Sequence, residues 1–441
     1  MSKPNYAERN AATIKIAAIV ILVLLLLIPV QMIIGLINER NRLQTEASED
    51  ISSKWGGAQQ IAGPVLSVPY NYFYQDKDKR VLQDTRYLHF LPEKLEMRAT
   101  MDPQIRKRGI YEIPVYQTEV QLQGHFRFPD ISNFKIDPKQ IRWDEASVST
   151  GIPDMRGIRE KMVLNFEGQE VDFEPGLEQR DLYASGVRAA VLLNTEEPGN
   201  LNFEYNIQLR GSRKLEFLPL GKETKVSLKS SWTNPKFSGA FLPEQRELHA
   251  AGFEAEWRVF NLNRNFPQQW SGSQYSFEEA AFGVDLLIPV DNYQKTTRTV
   301  KYAVMLIGLS FLVFFFLEIL NDVRIHPIQY VFVGLALCLF YTLLLSISEQ
   351  VNFNIAYGLS GAAIILLIAL YAKAILKSTK LSWMLFGLMF ILYSYIFVII
   401  QLQDLALLFG SIGLFIVLAL VMYLSRKIDW YAVRYGKQPD E

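Results

Sequence analysis

Ile14–Ile37 reads IKIAAIVILVLLLLIPVQMIIGLI, twenty-four residues in which Lys15 is the one charge. An α-helix crosses the hydrocarbon core of a bilayer with about 20 apolar residues, so this stretch is a membrane span. A cleavable signal peptide has a shorter core, about 7–15 residues, followed by a small-x-small site. Here Asn38-Glu39-Arg40 follows instead. The reading is an uncleaved anchor, with Pro29 inside it as the position of a kink.

Working outward, five more apolar blocks occupy residues 300–320, 327–347, 354–376, 381–400 and 404–424. The chain then divides into a tail (1–13), an anchor helix (14–37), an insert (38–299), a five-helix bundle (300–424) and a second tail (425–441). Lys and Arg collect on the cytoplasmic side of membrane proteins. With the N-terminus inside, that side carries Lys3, Arg9, Lys15, Arg324, Lys373, Lys377, Lys380, Arg426, Lys427, Arg434 and Lys437. The short loops on the other side, Ser348–Asn354 and Gln401–Asp404, carry neither residue. Both termini are therefore expected in the cytoplasm, with residues 38–299 on the opposite face.

The insert has two textures. Residues 38–60 read as a juxtamembrane helix, with Leu43, Ala47, Ile51 and Trp55 recurring every four positions. Beyond Gly63-Pro64 the pattern alternates with period two, as in Leu201-Asn202-Phe203-Glu204-Tyr205-Asn206-Ile207-Gln208-Leu209. That is the signature of half-buried strands. Fifteen of the nineteen prolines fall between Pro64 and Pro289 and are read as punctuation between strands. The expected domain is a mainly antiparallel, sandwich-like β fold.

Composition bounds the chemistry. The chain has 441 residues with 45 basic and 45 acidic side chains, which argues against a nucleic-acid binder that relies on net positive charge. One cysteine, Cys338, excludes an intrachain disulfide and a cysteine zinc cluster. His89, His125 and His249 stand in no metal-ligand spacing, and no nucleophile elbow, Walker loop or dinucleotide fingerprint occurs. No cofactor, metal or catalytic residue is implied. Asp144-Glu145 and Glu278-Glu279 point to opposite faces if they lie on strands, so they make poor acid–base pairs.

Two groups of residues stand out. Trp232, Phe237, Trp257 and Trp270 lie in the segment richest in aromatics, Gly and Pro. They offer either a glycan-stacking surface or sandwich core, and core is the favoured reading. In the bundle, Tyr341, Ser346, Ser348, Glu349 and Asp404 could form a polar seam, because Ser346 and Glu349 share a helix face. Glu318, Glu349, Asp404 and Lys373 all lie near expected interfaces, where anchoring explains them more simply than a proton relay.

Several blocks together resemble one family. They include Trp55-Gly56 with Gln59, Gly63-Pro64-Val65-Leu66-Ser67-Val68-Pro69-Tyr70, and Arg108-Gly109-Ile110-Tyr111-Glu112-Ile113-Pro114-Val115-Tyr116. Further along come Ser231-Trp232-Thr233-Asn234-Pro235, Gly283-Val284-Asp285-Leu286-Leu287-Ile288-Pro289-Val290-Asp291-Asn292-Tyr293, and Phe340-Tyr341-Thr342-Leu343-Leu344-Leu345-Ser346-Ile347-Ser348-Glu349. In order and spacing the chain resembles the CreD family of Gram-negative inner-membrane proteins, also described as cell-envelope integrity proteins. The resemblance implies a large periplasmic domain and links to a two-component system and envelope stress. It brings no catalytic residue.

The leading functional reading is a non-enzymatic envelope protein. Its β domain binds a glycan or another envelope component, and its helices anchor it in the lipid bilayer. The helix over Glu39–Gln60 and the segment Asp285–Tyr293 are the expected couplers between the two parts. Two other readings stand beside it: transport of a lipid or small molecule through the helices, and a saccharide-acting enzyme using carboxylates from separate strands.

Overall fold

A computed structural model of the chain describes residues 11–426, apart from 178–182, 197–198, 273–274, 288–291, 322, 324 and 403–404. The two tails lie almost wholly outside that range, as does part of the expected coupler Asp285–Tyr293. Two compact units result: one of residues 1–44 with 290–441, the other of residues 45–289.

The helical unit holds the first part of α1 (Ala11–Trp55) and α2 (Asn292–Lys301). It continues with α3 (Ala303–Leu320), α4 (Pro327–Ser348), α5 (Phe353–Leu376), α6 (Thr379–Gln401) and α7 (Ala406–Ser425). Among the described residues, six of these helices are long and apolar enough to cross a membrane: α1 and α3 to α7. The anchor and the expected juxtamembrane helix are one continuous element, which runs through Pro29 and ends at Trp55 rather than residue 60. The block expected at 300–320 is preceded by α2, a polar helix with Thr296 and Thr299 buried along it.

Helix starts follow capping chemistry. Pro327 opens α4 after His326, whose side chain accepts from the Ile328 N–H, a position where proline's missing donor costs nothing. Asn352 and Ser378 cap α5 and α6 by accepting from the N–H groups of Ile355 and Leu381.

The second unit is β-rich. Among the described residues, one sheet has nine strands and the other eight. Pairing is mostly antiparallel, but Gln59–Ile61 runs parallel to Leu215–Phe217, and Glu223–Ser230 runs parallel to Lys94–Met101. The eight-stranded sheet places Lys94–Arg108 beside Tyr111–Arg127, and that beside Asn200–Ser212. The alternation read in the sequence is realised literally. Leu201, Phe203, Tyr205, Ile207 and Leu209 are buried, while Asn202, Glu204 and Asn206 are exposed. One hydrophobic core joins inward residues of both sheets, and each fully buried large side chain contributes about 1.5–3 kcal/mol.

Prolines do more than separate strands. Pro69, Pro103 and Pro114 lie within strands. Each sits just past the last ladder pair with one neighbour: Ser147 pairs no further than Ser67, Ser230 no further than Met101, and Ser212 no further than Val115. On that side the carbonyls of Pro69 and Pro114 still accept from the N–H groups of Arg142 and Arg213, at 2.9 and 3.1 Å, so only the donor half of the pairing is missing.

The end of α1 is joined to the sheets by the residues around Gly56. There φ is +138°, and a Cβ would meet the Arg210 carbonyl oxygen at 2.6 Å, so only glycine fits. Trp55 lies between the guanidinium groups of Arg106 and Arg210, 4.7 and 4.5 Å from its ring centroid. Its Nε1 donates to the Tyr116 carbonyl at 3.2 Å. Gln59 Nε2 donates to the carbonyls of Asp154 and Arg210, both at 2.9 Å. The Asp154 carboxylate accepts from the Gly57 N–H at 2.9 Å and from Arg156 Nε at 2.9 Å.

The hydrogen bond from the Arg156 side chain, and then those from the Gly57 and Arg156 N–H groups, hold the Asp154 carboxyl below the usual carboxylate range, against the opposing effect of burial. A depressed carboxyl stabilises the fold above its unfolded pKa, and the benefit disappears as pH falls through the folded value. Asp154→Asn should therefore cost about 1–3 kcal/mol at pH 7. The difference in melting temperature from wild type, measured on the full chain in detergent, should shrink progressively below about pH 5. A difference independent of pH would contradict this assignment.

Candidate functional site

Two charge pairs of the helical unit, Lys15–Glu318 and Arg40–Glu349, lie at different levels. At the level where α1 begins, Lys15 bonds to Glu318 and donates to the Ile325 carbonyl at 2.9 Å. Glu318 is 1% exposed. Its carboxylate also accepts from the Ile325 N–H at 3.2 Å and from the Tyr330 hydroxyl at 3.1 Å. The Lys15 ammonium lies 5.7 Å from the Tyr330 ring centroid. Glu318 is thus a buried, multiply bonded group at that level, not a solvent-facing one.

The second level is set by Arg40 and Glu349, whose side chains approach to 3.7 Å. Tyr293 donates to Glu349 at 3.1 Å, and Asn292 Nδ2 donates to the Ser348 carbonyl. Lys15 and Arg40 are 25 residues apart on α1, or about 37 Å of helix. The hydrocarbon core is roughly 30 Å thick, so the two charged levels bracket one bilayer.

The polar seam expected along α4 is not formed as a unit. Tyr341 is buried against Phe340, with ring centroids 4.9 Å apart, in an aromatic cluster that includes Tyr357 and Tyr393. Ser348 is buried but spends its hydroxyl on the Leu345 carbonyl at 2.9 Å. Ser346 is exposed on the helix surface, and Asp404 lies outside the described residues. Of the seam residues among the described ones, Glu349 is the one whose side chain bonds to other side chains. Sequence spacing put Ser346 and Glu349 on one face, but only tertiary packing decides which face is turned inward.

On the β unit, the four aromatic candidates are mostly interior. Trp257 and Trp270 are 1% and 5% exposed and belong to the core. Trp232 and Phe237 are half-buried against that core, and Trp232 Nε1 is occupied by the Asn234 carbonyl at 3.1 Å. A sugar ring cannot stack on a face already packed by protein, so these residues do not form a common stacking surface. His89 is also interior, with Ser67 Oγ 2.9 Å from Nδ1 and Trp270 against its ring.

What the sequence reading passed over is the outer face of the eight-stranded sheet. Register places His125 beside Asn202, Gln123 beside Glu204, Gln121 beside Asn206, Glu119 beside Gln208, and Gln117 beside Arg210. Five cross-strand pairs along two strands make a strip about 27 Å long, rich in amides. Gln121 donates to Glu204 at 2.7 Å, and Gln123 to Glu96 at 2.9 Å. A groove of about 400 Å³ opens at one end, lined by Glu96, Gln123, His125, Asn165, Asn202 and Glu204 among others. The signal was in the alternation itself, whose outward positions read Asn, Glu, Asn, Gln.

Glu96 and Glu204 both border this groove, two strands apart, which amounts to about 10 Å between backbones. A glycosidase acid needs a raised pKa. Glu96 moves the other way: hydrogen bonds from Gln123 and then Arg98 hold it below the usual carboxylate range, despite some desolvation. The groove has the chemistry of hydrogen-bonding recognition, not of proton donation by Glu96.

The family model described as inner membrane protein CreD matches residues 11–431. The chain belongs to the CreD family. It is 32% identical over 422 residues to the inner membrane protein CreD of Escherichia coli (strain K12), a match covering 94% of this chain and 93% of that protein. The chain is accordingly an inner-membrane protein with several membrane-spanning helices. The CreD match runs through both units, from the start of α1 to beyond α7, so the helices and the β unit are family features together.

If Tyr341 is core and not a seam residue, Tyr341→Phe should hold stability within about 1.5 kcal/mol. Tyr341→Ala should cost about 3–5 kcal/mol. Thermal unfolding of both variants in detergent checks this, and equal effects of the two substitutions would contradict a packing role.

Proposed function

We propose that this CreD-family protein is a non-enzymatic envelope-integrity protein. Both termini lie in the cytoplasm, the β unit lies in the periplasm, and its outer sheet face binds a hydroxyl-rich envelope polymer of the glycan class. The orientation rests on the distribution of Lys and Arg between the short loops. The binding reading rests on one observation above the others, the amide-rich strip along Tyr111–Arg127 and Asn200–Ser212. Amides present donors and acceptors side by side, which suits sugar hydroxyls and acetamido groups. A flat strip about 27 Å long suits an extended chain better than a small molecule enclosed in a cavity. The other half of the same face, by contrast, is occupied by charge pairs such as Lys229–Glu254 and Arg258–Glu223.

Co-sedimentation of the full-length protein with isolated peptidoglycan sacculi tests the proposal. Wild type should be retained, and Gln121→Ala combined with Asn206→Ala should reduce retention at least about fivefold, given roughly 0.5–1.5 kcal/mol for each hydrogen bond lost. Lys229→Ala, in the charge-paired half, should retain as wild type does. Equal retention of all three proteins, or none of wild type, would overturn the proposal.

A further inference from the structure

Past Tyr70 the strand Gln59–Gln75 leaves the body of its sheet. Its pairing with Ala146–Gly151 stops at Ser67, and Val81–Phe90 pairs with Gln269–Ser271 no further out than Leu88. Beyond those points, among the described residues, the two strands pair with each other alone, from Asn71–Thr85 to Gln75–Val81. The turn between them is closed by the Asp76 N–H donating to the Arg80 carbonyl at 3.0 Å. A two-stranded ribbon by itself is marginal in water. This one nevertheless carries exposed apolar side chains on both faces, with Phe73 48%, Tyr74 43%, Val81 65% and Leu82 40% accessible.

The two edges of the ribbon differ. Pro69 turns its carbonyl away from Val81–Phe90, toward the Arg142 N–H at 2.9 Å. Backbone groups alternate sides along a strand, so Asn71, Phe73 and Gln75 turn their N–H and C=O groups outward as well. Among the described residues, no other strand or loop bonds to those groups. The residues of this edge, Asn71-Tyr72-Phe73-Tyr74-Gln75, carry no charge. The opposite edge carries Asp84 and Arg86, with Arg80 at its outer end. Charged side chains are a common means of keeping an exposed edge from pairing, and the Asn71–Gln75 edge has none.

We propose that this edge pairs with the same edge of a second copy of the chain, antiparallel about a two-fold axis at Phe73. The limits of the free edge set that register. Ile141 bridges to Tyr70 at one end, and the chain turns away at Asp76 at the other. Between these limits Asn71 lies opposite Gln75 of the second copy, and Phe73 opposite its own counterpart. Those are the residues whose backbone groups point outward, so each pair exchanges both of its hydrogen bonds. On one face Tyr72 meets Tyr74 of the second copy, beside the Tyr72–Tyr74 rings stacked at 6.1 Å within each chain. On the other face the two Phe73 side chains meet. The same operation on the opposite edge, about Gln83, would set Arg80 against Arg86, and like charges directly opposite are destabilising. Pairing joins the two ribbons into one continuous sheet and supplies the neighbour that each lacks. The ribbon extends the nine-stranded sheet, so this contact is separate from the amide strip on the eight-stranded one.

Oxidative cross-linking of the full-length protein in detergent provides the test. Wild type, whose one thiol, Cys338, is buried, sets the background. Phe73→Cys should give a disulfide-linked dimer, because directly opposed residues of a hydrogen-bonded pair lie about 5.5 Å apart between Cα atoms, within disulfide reach. Gln83→Cys, on the far strand of the ribbon, would stand about 14 Å from its counterpart and should link at least about fivefold less. In light scattering, wild type should be a dimer. Phe73→Lys, which sets two cations face to face at the axis, should weaken dimerisation at least about tenfold while keeping the far-UV circular dichroism of wild type. A monomeric wild type, a dimer unaffected by Phe73→Lys, or equal linking by Phe73→Cys and Gln83→Cys would overturn the proposal.

Discussion

A charged side chain among membrane helices has to be answered by another charge, because the hydrocarbon around it offers no hydration. In this protein Lys15 and Glu318 answer each other. Their bond joins the start of α1 to the end of α3, and the Glu318 carboxylate draws in the Ile325 N–H and the Tyr330 hydroxyl from the start of α4. One buried group thereby fixes three helix ends at a common level. Desolvation makes such a pair a weak source of net stability, but removing either partner alone is costly because it strands the other. The pair acts chiefly as a registration device, setting α1 against α3 and α4.

Other contacts within the helical unit fall into line with that register. Leu26 of α1 meets α4 at Gly334, where a Cβ would come within 2.2 Å of a Leu26 methyl. Farther along, Arg40 reaches Glu349 at the opposite end of α4. That pair is partly exposed and individually weak, yet it occurs where the inner register requires it. α7 takes no part in this arrangement: among its described residues, only Gly413 is buried. The β unit follows a separate logic: strict alternation supplies one face to the core and the other to solvent, and the solvent face divides into an amide strip and a charge-paired half.

Much of this was legible in the residues. Spans were readable because 20-residue apolar runs have few alternatives, and the edges of the five later ones fell within a few residues of the helix ends, whereas the first helix runs on to Trp55. Strands such as Asn200–Ser212 declared both their existence and their buried face. Prolines were harder to read, since Pro69, Pro103 and Pro114 stand inside strands just where the ladder with one neighbour stops, a property of pairing. Trp257 and Trp270 show the same limit, for composition cannot tell a stacking platform from a core. The polar seam failed for Ser346 because helix rotation about its axis is set by partners. Most instructive is Lys15, which counts as one more positive flank in the sequence and becomes structural only when Glu318, 303 residues away, is placed beside it.

The registration role is most directly tested by a double-mutant cycle of Lys15→Met and Glu318→Leu, read as unfolding free energy of the full chain in detergent. Each single substitution should cost about 3–5 kcal/mol, because it leaves its partner's charge buried and unpaired. The double variant should cost clearly less than the sum of the two, with a coupling of at least about 1 kcal/mol. Strictly additive losses would contradict the account, since they would mean that Lys15 and Glu318 are held by their surroundings and not by each other.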